Sequence, residues 1–136
     1  MTVRVAVLAF PGSCDDRDAL RAVGLMGAEP VRVWHADPDL GGAEAVIVPG
    51  GFSYGDYLRP GALAALSPAM GAVRDLAAAG GPVLGICNGF QVLCEAGLLP
   101  GALLVNESLK FVCRQVRVEV GNTGTPFTSR CREGED

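Results

Sequence analysis

The sequence is poor in histidine and has no closely paired cysteines. His35 is the one histidine in 136 residues, and the five cysteines are scattered without a Cys-x-x-Cys pair. An odd number of cysteines at such spacings argues against a disulfide framework and against a zinc site. It is typical of reduced thiols, so we expect a cytoplasmic protein with no metal of its own.

Long apolar runs and excess positive charge are also missing. No run approaches the roughly 20 residues that a transmembrane helix needs, so we expect no membrane partner. The first apolar stretch, TVRVAVLAF, has nine residues and continues into Pro11-Gly12, which favours a strand over a signal peptide. The net charge is -4, and no basic stripe offsets it, which argues against nucleic acid as the main partner.

Apolar residues make up 49% of the sequence and form short runs between glycine-rich turns. Runs that are apolar throughout are typical of parallel strands buried on both faces. We predict strands over 3–10, 30–35, 45–51, 82–86, 102–105 and 109–120, and helices over 16–26, 68–79 and 88–96. This alternation predicts one α/β domain with a doubly wound, mostly parallel sheet of flavodoxin-like type.

Two of the helices begin at residues suited to capping. We expect Asp15 to cap the first helix and Ser67, followed by Pro68 at the first helical position, to cap the second. The residues expected on the inward faces of these helices are Leu20, Val23, Met70, Val73, Leu76 and Ala77.

Three strand ends carry unusual residues, namely Pro11-Gly12-Ser13, Pro49-Gly50-Gly51 and Cys87-Asn88-Gly89. In an open parallel sheet the functional site lies at the carboxyl ends of the strands. We therefore expect these three segments to converge, although they are far apart in the sequence.

The segment Gly85–Gly89 has the form of a nucleophile elbow, Gly-x-nucleophile-x-Gly, with Cys87 as the nucleophile. The glycines allow a sharp strand-to-helix turn, and the helix amino end favours the thiolate. The amide of Asn88 and that of Gly50 or Gly51 are predicted to form an oxyanion hole. This arrangement predicts acyl transfer through a thioester, whereas the alternative for Cys87 is a buried structural thiol.

His35 is not expected to be the base for Cys87. In the strand order 2-1-3-4 the second and fourth strands lie three positions, about 14 Å, apart, which is too far for a hydrogen bond. We expect His35 to be a strand-end residue beside Trp34, with Trp34 packing on a helix. Cys94 is expected in the core, and Cys14, Cys113 and Cys131 have no motif and are expected to be structural.

The segment PVLGICNGFQVLCEAGLLPGAL resembles the nucleophile region of class I, triad-type glutamine amidotransferases. The block PGGFSYGDYLRPGA, together with FPGS, VWH and TPFTS, narrows the resemblance to the family of glutaminase subunits of phosphoribosylformylglycinamidine synthase. The resemblance extends over essentially the whole chain. It implies that Cys87 forms a glutamyl thioester and that Phe52 and Gln91 line or support the glutamine pocket.

The resemblance also implies partners. Glutamine would be hydrolysed to glutamate, and the ammonia would pass to a synthetase subunit that makes formylglycinamidine ribonucleotide in de novo purine biosynthesis. That partner would use ATP and magnesium, the glutaminase subunit would need no cofactor, and a small accessory subunit would help assembly.

Two departures from the family pattern stand out. The family often has Gly-Ser-Asn-Cys-Asp after the first strand, where this chain has Gly-Ser-Cys-Asp-Asp at 12–16. The histidine and glutamate of the family's triad, usually downstream of TPFTS, are not among these residues. We therefore expect residues 1–136 to be the N-terminal part of a single amidotransferase domain, inactive and poorly soluble alone.

Two other classes fit parts of the sequence. A DJ-1-type cysteine-elbow hydrolase or stress protein shares the fold, but a histidine often follows its cysteine, where this chain has Asn88. A flavodoxin-like binding module would hold phosphate on the Pro11–Ser13 loop, but no Walker or Gly-x-Gly-x-x-Gly pattern supports that function.

Overall fold

The computed structural model describes all 136 residues, which divide into two compact units, Met1–Leu103 and Leu104–Asp136. The first unit contains every helix and strand of the chain. Its strands are β1 (Arg4–Ala9), β2 (Glu29–Trp34), β3 (Ala45–Val48) and β4 (Val83–Gly85), and its helices are α1 (Asp16–Leu25), α2 (Pro68–Ala78) and α3 (Asn88–Glu95). Two short 3-10 turns, Ser53–Asp56 and Ala64–Leu66, interrupt the long connection between β3 and α2.

The four strands form one parallel sheet in the order β2-β1-β3-β4, as predicted. β1 lies inside the sheet, and Val7 and Leu8 are fully buried because neighbours cover both faces of the strand. The α/β fold with a parallel sheet is therefore confirmed. None of the helices combines the length and the hydropathy that crossing a bilayer requires.

The predicted inward faces of the helices are largely confirmed. Val23 of α1 and Met70 and Val73 of α2 are buried, whereas the other three predicted residues are half-buried. The core joins strand and helix side chains, with Leu8, Val46, Val48, Met70, Val73, Val92 and Leu93 among its members. This core holds the carboxyl ends of the strands in one place.

The capping predictions are only half right. Asp15 and Ser67 occupy the N-cap positions of α1 and α2, but neither side chain makes a capping hydrogen bond. Ser67 Oγ is buried without a partner. At Asp15 the backbone (φ -106°, ψ 9°) departs from the extended conformation in which a cap side chain reaches back to the helix amides.

The second unit, Leu104–Asp136, contains no strand, so the strands predicted over 102–105 and 109–120 are wrong. A strand requires a neighbour to complete its hydrogen bonds, and the backbone of residues 111–119 makes none. Leu104, Phe111 and Val118 are exposed in this segment. Alternation of valines is thus not sufficient when no strand pairs with the segment. That residues 1–136 are the N-terminal part of one domain stays a prediction.

Candidate active site

Cys87 lies at the turn between β4 and α3, with a backbone conformation (φ 51°, ψ -111°) that side-chain-bearing residues rarely adopt. Such strain, of about 1–3 kcal/mol, persists only where the surroundings enforce it, and it is concentrated at functional sites. The residue is exposed and its thiol is free. The structure therefore contradicts the alternative of a buried structural thiol.

The two elbow glycines are sterically required. A β-carbon on Gly89 would lie 1.9 Å from the carbonyl oxygen of Val48, and one on Gly85 would lie 2.7 Å from a methyl carbon of Leu93. Both distances are shorter than any ordinary contact, so the helix can approach the sheet this closely only with glycine at these positions. The spacing in the sequence thus has the physical cause expected of a nucleophile elbow.

The loop after β3 lies directly beside the elbow. Gly50 is buried, and a β-carbon on it would be 3.4 Å from the β-carbon of Cys87. The backbone amides of Gly50, Gly51 and Asn88 donate no hydrogen bond within the chain. Free amides in the segments next to an exposed cysteine are the kind of group that stabilises an oxyanion formed by attack on a carbonyl. Their assignment to an oxyanion hole stays a prediction.

The ends of β1 and β3 are joined, as the predicted convergence requires. Ser13 and Gly51 form an isolated antiparallel bridge. The amide of Phe52 donates to the Gly12 carbonyl at 2.8 Å, and the amide of Cys14 donates to the Gly50 carbonyl at 3.1 Å. All three unusual strand ends therefore lie at one edge of the sheet.

Asn88 contributes a side-chain contact that the sequence did not indicate. Its Oδ1 accepts a 3.0 Å hydrogen bond from the Ser53 amide, and its Nδ2 donates to Oε1 of Gln91 at 3.0 Å. Asn88 is buried, whereas Gln91 is half-buried. Gln91 thus supports Asn88 from the next turn of α3. Phe52 is 63% exposed, and its predicted role in a glutamine pocket stays a prediction.

His35 has a structural partner at the site. Its Nδ1 forms a 2.5 Å hydrogen bond with the Tyr54 hydroxyl, and the two rings meet edge to face. The sheet order places β2 three positions from β4, which agrees with the expectation that His35 is not the base for Cys87. Trp34, expected to pack on a helix, is 43% exposed and meets the His35 ring edge-on. The histidine therefore anchors the loop after β3.

A second anchor holds the far end of this loop. The guanidinium of Arg59 donates to both carboxylate oxygens of Glu95 at 2.6 and 2.7 Å. The hydrogen bond from Arg59 lowers the pKa of Glu95. Gly61, at φ 83°, lies so close to α3 that a β-carbon would be 2.7 Å from the Val92 amide. The loop is thus fixed to the helix that begins at the elbow.

The remaining cysteines differ from expectation in part. Cys94, expected in the core, is half-buried and is not a member of the core cluster. Cys131 is half-buried in the second unit, but Cys14 and Cys113 are exposed. The expectation of buried structural thiols is therefore wrong for Cys14 and Cys113, because each lies on an exposed loop. No group of three histidine, cysteine or acidic side chains is placed to hold a metal ion.

Comparison with known proteins agrees with this geometry. The profile of the CobB/CobQ-like glutamine amidotransferase domain matches residues 2–134. The phosphoribosylformylglycinamidine synthase subunit PurQ of Rubrobacter xylanophilus is 64% identical over 134 residues, which cover 98% of this chain and 61% of the relative. The subunit of the same name from Mycolicibacterium paratuberculosis is 60% identical over all of this chain and 61% of its own length.

A solved structure is also similar. A chain in the structure of PurLQS from Thermotoga maritima matches with a TM-score of 0.86 at 49% identity, covering 99% of this chain and 63% of that one. The chain therefore spans about 60% of the length of the relatives it matches. The match over residues 2–134 shows that this chain belongs to the CobB/CobQ-like glutamine amidotransferase domain family.

Proposed function

We propose that this chain carries the nucleophile of a glutaminase that serves phosphoribosylformylglycinamidine synthase. The observation that carries the proposal is the strained, exposed Cys87 at the start of α3, with the unbonded amides of Asn88 and Gly50 beside it. Family membership and the names of the relatives support it. Neither favours the DJ-1-type alternative.

The proposed reaction is acyl transfer from the side-chain amide of glutamine. The Cys87 thiolate attacks the amide carbon, and the oxyanion that forms accepts hydrogen bonds from the neighbouring amides. The carbon–nitrogen bond then breaks, the nitrogen leaves as ammonia after taking up a proton, and a glutamyl thioester remains. Water adds to the thioester, so that glutamate is released and the thiol is restored.

The elbow contributes to the first step in two ways. The amino end of α3 provides a partial positive charge and an unbonded amide next to Cys87, which would stabilise an oxyanion formed in the attack. The exposed position also leaves the thiolate accessible to a substrate entering from solvent. His35 takes no part in proton transfer at Cys87, because it lies at the end of β2 and is bonded to Tyr54.

We further propose that the ammonia is passed to a synthetase subunit, with a small accessory subunit in the assembly. The similarity to a chain of the PurLQS structure supports this proposal. ATP and magnesium would be used by that synthetase subunit, and this chain would need no cofactor of its own. The five free cysteines fit the cytoplasm, where thiols remain reduced.

Labelling of Cys87 tests the proposal directly. The protein is treated with a diazoketone analogue of glutamine, and the labelled peptide is identified by mass spectrometry. We expect selective modification of Cys87. Glutamine should block this modification, whereas asparagine or buffer alone should not. Exposed Cys14 and Cys113 are internal controls in the same digest. Labelling of Cys87 that glutamine does not slow would contradict the proposal.

A further inference from the structure

Asp15 presents a carboxylate to the active site and has no partner for it. The residue is exposed, and its side chain makes neither a capping hydrogen bond nor an ion pair. Its neighbour Asp16 differs, because Asp16 is buried and lies 3.3 Å from the Arg32 guanidinium. The two adjacent acids therefore have separate roles, and only the carboxylate of Asp16 is explained by contacts within the fold.

The backbone directs the Asp15 side chain toward the sheet edge. Its amide donates to the Gly50 carbonyl at 3.3 Å, which ties the residue to the loop after β3. A β-carbon on Gly50 would lie 2.4 Å from Asp15 Oδ2. The same point is 3.4 Å from the β-carbon of Cys87. The Asp15 carboxylate and Cys87 thus both border the space that a side chain at Gly50 would fill.

We propose that the Asp15 carboxylate binds the α-ammonium group of the amino-acid amide whose side chain Cys87 attacks. This inference rests on the proposed glutaminase function and deepens it by naming the group that recognises the backbone end of the substrate. Glutamine has a cationic ammonium a few bonds from its reacting carbon. A carboxylate accepts strong, charge-assisted hydrogen bonds from such a group.

Electrostatics distinguishes this role from a merely structural one. A carboxylate attracts an ammonium group, whereas it gains no such interaction from a ligand in which hydrogen replaces that group. Asp15 would therefore favour a ligand with a positive charge over an otherwise identical ligand that lacks it.

The test compares two ligands in three proteins. The ligands are glutamine and glutaramate, the same five-carbon amide without the α-amino group. The proteins are the parent, Asp15→Asn, and the control Asp18→Asn, which makes the same charge change at an exposed position in the first turn of α1. The measurement is the ligand concentration that halves the rate at which iodoacetamide alkylates Cys87, determined on the Cys87 peptide.

We expect Asp15→Asn to raise the half-protective concentration of glutamine by about 10- to 100-fold, the loss of one hydrogen bond to a charged group. The value for glutaramate should be unchanged in Asp15→Asn, and Asp18→Asn should match the parent with both ligands. Equal weakening of both ligands by Asp15→Asn, or no weakening of either, overturns the inference. If glutamine fails to protect Cys87 in the parent, the proposed glutaminase function itself fails, and the inference falls with it.

Discussion

The side-chain oxygen of Asn88 accepts a 3.0 Å hydrogen bond from the backbone amide of Ser53, and both residues are buried. This contact joins the elbow to the loop that carries Gly50 and Gly51. Because the two proposed oxyanion donors belong to different segments, their relative position depends on such a connection. The side chain of Asn88 thus makes a structural contact that is separate from the oxyanion role proposed for its backbone amide.

Removal of the Asn88 side chain is expected to destabilise the protein. Asn88→Ala leaves the Ser53 amide buried without an acceptor, so the free energy of unfolding should fall by about 1–3 kcal/mol. Urea denaturation followed by circular dichroism measures this change. Asn106→Ala is the matched control, because the Asn106 side chain binds the Lys110 carbonyl at an exposed position. Equal urea concentrations at the unfolding midpoints of the two variants would contradict the prediction.

Glycine-to-alanine substitutions should have opposite effects at two helical positions. In Gly89→Ala the new methyl group would meet the Val48 carbonyl, and we expect a loss of at least about 3 kcal/mol, at the upper end of overpacking costs. In Gly71→Ala of α2 no atom lies within 4 Å of the new methyl group. Alanine should therefore stabilise this helix by about 0.5–1 kcal/mol. Thermal unfolding of both variants provides the comparison, and a stable Gly89→Ala protein would refute the steric account of the elbow.

The phenol of Tyr54 should titrate at unusually high pH. Burial raises its pKa, because the phenolate would lose solvation. In Tyr57→Phe, Tyr54 is the one remaining tyrosine, so ultraviolet absorbance follows its ionisation alone. We expect a midpoint above the ordinary value of about 10.

The same shift sets a pH dependence of stability. Because the folded pKa of Tyr54 is the higher one, its contribution is complete below pH 10 and is lost as the pH rises through the folded pKa. Tyr54→Phe should therefore unfold with a weaker dependence on pH above 10 than the parent. Identical alkaline profiles for the two proteins would be inconsistent with a raised pKa of the half-buried Tyr54 phenol.

Asp56 is expected to destabilise the folded protein at neutral pH. Burial raises its pKa, its Oδ1 has no hydrogen-bond partner, and its φ of 57° suits asparagine better than most residues. Asp56→Asn should raise the free energy of unfolding at pH 7 by up to about 1 kcal/mol, the scale of a single stabilising surface change.

The pH dependence of that gain provides the check. With a raised folded pKa, the parent regains the lost stability as the pH falls through that value, so the advantage of Asp56→Asn should disappear near pH 3. Asp75→Asn, an exposed position on α2, is the control. An advantage that is constant from pH 7 to pH 3 would show that desolvation of Asp56 is not its cause.

Much of the first unit could be predicted because its signals are local. The apolar runs of β1 and β3, the glycines after them and the Gly85–Gly89 elbow each depend on a few adjacent residues. The position of Cys87 followed from the same reasoning. The strands expected over 102–105 and 109–120 are absent, because pairing depends on a neighbour that alternation cannot reveal.

Only part of the candidate site could be predicted from local sequence patterns. Asp15 was predicted to cap α1, a local role typical of its position, yet its carboxylate lies beside Gly50. The contacts of Asn88 with Ser53 and of His35 with Tyr54 join residues 35 and 19 positions apart. No local pattern predicts which distant groups will meet.

The sequence by itself determined the strands of the first unit and the glycine-flanked turn at Cys87, because hydrophobic runs and glycine spacing act over short distances. Only the tertiary structure decided what surrounds Cys87. It brought Gly50 and Asp15 close to Cys87. It also fixed the loop after β3 through the hydrogen bonds of Asn88 and His35. The physical reason is that these contacts depend on the packing of whole strands and helices, which fixes where their ends meet.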